Sequence, residues 1–120
     1  MKSVITTASL LALIALTSTG CATRHDHYYW GNYEPLIYEM YLHPGAADAP
    51  TQIDKLTADI DKAHSLGKPV PPGVYAHLGF MYAIAGKIDM AESAFGQEKA
   101  NYPESAVLID GMMQRARKTK

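Results

Sequence analysis

A single cysteine, Cys21, in 120 residues excludes an intrachain disulfide framework and any cysteine-rich zinc site. Neither sign of charge is in excess: 11 Lys+Arg stand against 12 Asp+Glu, a formal net charge of −1. Such a chain has no field with which to grip phosphates, so nucleic acid is not an expected partner. The longest uncharged apolar run, Val4 to Leu16, has 13 residues. As a helix it would reach about 20 Å, short of the ~30 Å hydrocarbon core of a bilayer. No segment sustains a period-two alternation, so no strand is predicted. Catalytic signatures are missing too. There is no Gly-x-Ser-x-Gly, no phosphate-cradling glycine loop and no Ser/His/Asp order suggestive of a triad. Asp59 and Asp61 leave a helix in different directions, unlike a working carboxylate pair. Neither an enzyme nor a bound cofactor is therefore expected. What remains is 48% apolar and 19% charged residues with a mean hydropathy of −0.13, the balance of one small globular domain.

The first twenty residues read as an export signal. Lys2 supplies a minimal positive start, the run to Leu16 is too short to remain in a membrane, and Ser18-Thr19-Gly20-Cys21 follows. Those residues resemble the lipobox of bacterial lipoproteins, in which the cysteine is acylated and becomes the first residue of the mature chain. Ser18 stands where leucine is commonest, and Leu16 lies two positions further upstream. The resemblance implies three acyl chains on Cys21. Ala22, rather than an aspartate, implies sorting to the outer membrane with the domain in the periplasm. An ordinary secretory signal with a leftover thiol is the alternative. Removal of residues 1–20 leaves 10 basic and 12 acidic residues, so the anchor rather than a basic patch would hold the protein to lipid.

Residues 21–33 lack periodicity and read as a tether whose end carries Tyr28, Tyr29, Trp30 and Tyr33. This cluster is expected to dock on a helical domain at 34–120. Pro35 suits a first helical position, and Leu36, Ile37, Met40 and Tyr41 recur at helical spacing until His43-Pro44-Gly45. After a turn at 46–50, Ile53, Leu56, Ile60 and Ala63 share one helix face, with Asp54, Lys55, Asp59, Asp61 and Lys62 elsewhere. Gly67 and the prolines 69, 71 and 72 end that helix. Three more helices are predicted at about 72–85, 88–101 and 104–118. The last carries Ala106, Ile109, Met113 and Ala116 on one stripe. The fold class is all-α: two helical hairpins plus a closing helix.

Within it, Tyr75-x₂-Leu78-Gly79-x₂-Tyr82, Gly86, Ala91-x₃-Phe95 and Pro103 resemble the roughly 34-residue tetratricopeptide repeat. Small Gly79 and Ala91 would let two antiparallel helices cross closely, while Tyr75, Leu78, Tyr82 and Phe95 fill the volume between them. Gly86 would make the turn and Pro103 open the next helix. Glu98 departs from the pattern, which wants a small residue there, and calls for a partner such as Arg115 or His77. The chain is also similar to a family of small bacterial lipoproteins of uncharacterised function. That resemblance covers most of 28–115 through Trp30-Gly31-x-Tyr33-Glu34, Pro71-Pro72-Gly73-x-x-Ala76-His77-Leu78-Gly79 and Glu98-Lys99-x-x-Tyr102-Pro103-Glu104-Ser105. Tyr102 replaces a frequent phenylalanine. Members are typically encoded beside a lipoprotein similar to the curli secretion channel. This implies a non-catalytic adaptor or accessory role in an envelope assembly, with an envelope lipoprotein or secretion-channel-like protein as partner.

In a tetratricopeptide hairpin the first helix lines a groove, here through Gly73, Ala76, Phe80, Ala83 and Ile84. An apolar groove on a soluble domain calls for an occupant. Either another protein or the chain's own 28–33 segment could fill it. In the second case the outer face of the closing helix becomes the partner site. A different reading is a periplasmic small-ligand or metal binder using His25-Asp26-His27 and the neighbouring aromatics. His43, His64 and His77 are expected to have no His/Glu partner at i+4 spacing on one helix face, so no preformed zinc motif is expected, and His77 is expected to be packed.

Overall fold

The computed structural model describes Met1 and residues 26–45 and 47–118. The expected signal segment beyond Met1, Cys21 and His25 lie outside the described residues. Those described form five α-helices and no strand: α1 Tyr33–Leu42, α2 Ala49–Ser65, α3 Val74–Ile84, α4 Ile88–Asn101 and α5 Ala106–Lys118. The fold is all-α. Helix starts differ from the sequence reading: α1 begins at Tyr33, within the expected tether and ahead of Pro35, and α3 at Val74 rather than near 72. The second helix starts at Ala49, because Pro50 is harmless in a first turn and Asp48 caps it by accepting from the Thr51 N–H at 2.9 Å. Pro103 opens a one-turn 3₁₀ segment, Pro103–Ser105, that leads into α5.

Helices α3 and α4 form the tightest pair. Gly86, at φ +73°, closes the turn between them. Its N–H donates to Ala83 O and that of Lys87 to Tyr82 O, the paired bonds that satisfy the last carbonyls of α3. Tyr75, Leu78, Gly79 and Tyr82 of α3 and Ala91 and Phe95 of α4 are all buried. Gly79 lies directly on Phe95: a Cβ there would stand 2.6 Å from the ring carbons Cδ1 and Cε1. Helix α2 covers one side of the pair with Ile53, Leu56, Ile60 and Ala63. Helix α5 covers the other, inserting a fully buried Ile109. Each such aliphatic side chain contributes about 1.5–3 kcal/mol by leaving water. At the surface, Lys99–Asp110 (2.5 Å) and Arg117–Glu92 (2.6 Å) link α5 to α4. Exposed pairs of this kind contribute only ~0–1 kcal/mol each.

Two acids that the sequence reading placed otherwise do structural work. Glu98 is 2% exposed on α4, and where the sequence calls for a partner such as Arg115 or His77 it binds backbone N–H groups. It accepts from the Gly73 N–H at 2.7 Å and the Ala76 N–H at 3.3 Å, at the start of α3. Gly73 is the N-cap of that helix and has no side chain to cap with. One carboxylate from α4 thus makes both bonds of a capping box, at the end where the helix dipole favours negative charge. Asp59 is buried rather than solvated, and serves α1 in the same way. Its oxygens accept from the Asn32 N–H (2.6 Å) and side-chain amide (3.0 Å). Gly31 before it is at φ +48°, and a Cβ there would overlap the carboxylate, so both the turn and the close approach require glycine.

Candidate functional site

The aromatic segment folds back over the N-terminal end of α3. Ring contacts run in series from His27 to Tyr28 (4.8 Å), Tyr28 to Trp30 (5.9 Å), Trp30 to Tyr33 (5.8 Å) and Tyr33 to His77 (5.7 Å). The Tyr33 hydroxyl lies close over Gly73, 3.2 Å from where a Cβ would be. Burial, and then the Glu98 carboxylate, push its pKa above the ordinary tyrosine value. The Tyr102 hydroxyl donates to Val70 O at 2.6 Å. Burial and then a hydrogen bond with Tyr28 raise its pKa as well. The aromatic segment is therefore held at the start of α3 and by Tyr102 at the end of α4.

Beneath it His77 is buried, and its Nε2–H donates to Gln52 Oε1 at 2.9 Å. The direction follows from Gln52, whose amide nitrogen donates to Ala47 O at 2.8 Å and leaves its oxygen for the ring. Nδ1 is then a bare acceptor, buried without a hydrogen-bond partner. Burial holds the pKa of this ring below 6.5. His43 does have an acid four residues before it, which the sequence reading passed over: Glu39 Oε2 lies 3.0 Å from His43 Nδ1 on the exposed face of α1. Among the described residues no group of three His, Cys, Asp or Glu side chains converges as metal ligands do.

The five groove residues separate into two sets. Gly73 and Ala76 are half-buried near the aromatic segment, Ala76 packed against the core. Phe80, Ala83 and Ile84 instead line an open hollow of about 250 Å³, with Phe95 behind them and Met112, Arg115 and Ala116 of α5 on the far side. Phe80 is 42% and Ile84 59% exposed. Met112 and Arg115 were not foreseen as lining. The signal was present in α5, where Met112 and Ala116 follow Ile109 at helical spacing on the edge of its buried stripe. Val107 and Leu108, on the outer face of α5, are exposed.

A family profile for a domain of unknown function, DUF4810, matches residues 27–112. The chain belongs to the DUF4810 family. Comparison with curated proteins and with solved structures finds no match. The DUF4810 match begins at His27 and so includes the aromatic segment. It ends at Met112, within α5 and on the wall of the hollow. No helix among the described residues of this DUF4810 chain is long and apolar enough to cross a membrane.

Proposed function

We propose that this protein is a non-catalytic lipoprotein, anchored in the outer membrane through Cys21, whose tetratricopeptide-like domain docks a helical segment of a neighbouring envelope protein. The hollow between α3 and α5 carries the reading. Three apolar side chains of α3 and two of α5 face each other there with no segment of the described residues between them, and this is the shape that accepts the apolar face of an amphipathic helix. The family resemblance supports a partner among envelope lipoproteins or secretion-channel-like proteins. The buried acids Asp59 and Glu98 are occupied in capping helices, which leaves the protein's chemistry in its surfaces.

Two experiments test this. Metabolic lipid labelling should mark the wild type and not Cys21→Ser, and equal labelling of both rejects the anchor. Crosslinking in intact cells should recover a defined envelope partner with the wild type and lose it with Phe80→Asp. Phe80 is exposed enough for that change to leave folding within about 0.5 kcal/mol of wild type. Undiminished recovery by a folded Phe80→Asp rejects the hollow.

A further inference from the structure

Helix α1, Tyr33–Leu42, is apolar on nearly every side, as buried helices are, yet of its ten residues only Leu36 is buried. The others that matter face outward together. Trp30, Ile37, Tyr38, Tyr41 and Leu42 line a shallow concavity of about 590 Å³ with Tyr33 and Glu34. Tyr38 is 61% and Tyr41 80% exposed. A clustered apolar surface of this kind marks an interface with another protein or with lipid.

We infer that the Trp30–Tyr38–Tyr41–Leu42 face of α1 rests in the headgroup region of the bilayer to which the chain is anchored. This rests on the lipid anchor at Cys21 proposed above. Trp30 lies nine residues after Cys21, a reach of about 30 Å at full extension, so the Trp30 end of the domain stays within that distance of the membrane. The tether ends on this face, since Trp30 is one of its walls. Tethering makes the contact intramolecular, and a weak affinity then suffices. Tryptophan and tyrosine are the side chains that settle at membrane interfaces, with an apolar body inward and a polar tip toward water. The charged groups on α1 are Glu34 and Glu39, and no Lys or Arg occurs from Tyr33 to Leu42. Attraction to anionic lipid is thus not the driving term, and the contact should persist on zwitterionic lipid and in salt.

Trp30 is the only tryptophan of the chain, so its fluorescence reports this face directly. The full-length protein, purified from cells that process lipoproteins, is reconstituted into phosphatidylcholine vesicles carrying a spin label near the headgroup. Flotation and the mass of the N-terminal peptide read the anchor, and Trp30 emission reads the face. The expected result is a shift of emission to shorter wavelength and loss of most of its intensity to the label, unchanged by raised salt. Tyr38→Ser/Tyr41→Ser, two exposed substitutions, should still float and recover most of that intensity. Protein that floats with unquenched Trp30 overturns the inference and leaves the anchor standing. Quenching that requires anionic lipid overturns it as well. So does a blue shift that follows protein concentration without lipid, which would mark a contact between copies. Protein lacking the acyl group overturns the anchor, and this inference with it.

Discussion

Two helical glycines should respond in opposite directions to the same substitution. At Gly79 a new methyl would lie 2.6 Å from two ring carbons of Phe95, which is 1% exposed and cannot swing aside. Overpacking of this kind costs about 1–3 kcal/mol, and so close an approach to a fixed ring belongs at the upper end. Alanine regains about 1 kcal/mol of helix propensity. Gly79→Ala should therefore lose about 1–2 kcal/mol, a fall in Tm on the order of 5–10 °C for a domain of this size. At Gly96, within α4, a Cβ meets nothing within 4 Å. Gly96→Ala should gain about 0.5–1 kcal/mol from propensity alone. Thermal and urea unfolding followed by circular dichroism read both. Gly79→Ala/Phe95→Leu should cost less than the two single changes added, with a coupling of about 1 kcal/mol. If Gly79→Ala melts at or above the wild-type temperature, the close crossing of α3 and α4 is wrong.

Glu98→Ala strands the Gly73 and Ala76 N–H groups and should cost about 2–3 kcal/mol, whereas Glu98→Gln, which keeps an acceptor, should cost less. Urea midpoints give the order, and equal losses would reject the cap. Asp59→Ala should loosen α1 and the aromatic segment ahead of the rest, seen as faster amide exchange at Asn32 while Leu56 stays protected. His77 supplies a pH dependence. Its folded pKa lies below 6.5 because of burial, so near and below that pH the unfolded chain binds the extra proton. Stability from this group is complete above about pH 6.5 and declines as pH falls through the window beneath it. His77→Gln should flatten that decline between about pH 7 and pH 5, and an unchanged slope would assign it elsewhere.

The helices and their partners at the core were legible because they rest on spacing. Leu78, Gly79, Ala91 and Phe95 announce a close crossing by size and interval alone. The roles of Asp59 and Glu98 were not legible, since each binds backbone N–H groups 22 to 27 residues away. A backbone donor leaves no mark in a sequence, whereas a charged side chain does. Glu39 and His43, by contrast, lie at an interval the sequence does display. The five-residue groove was only half legible. The spacing names the face of α3, but how much of it the aromatic segment covers depends on the turn at Gly31 and its clasp by Asp59.

Because the first turn of α3 is completed by a carboxylate borrowed from 25 residues downstream, it has no finished form while the chain is still being made. Translation must deliver Glu98 before that end can close, and the same acid sits beneath the phenol of Tyr33. The opening turn of α3 thus stays unfinished until residue 98 has left the ribosome, and a chain cut short before it would lack that closure altogether.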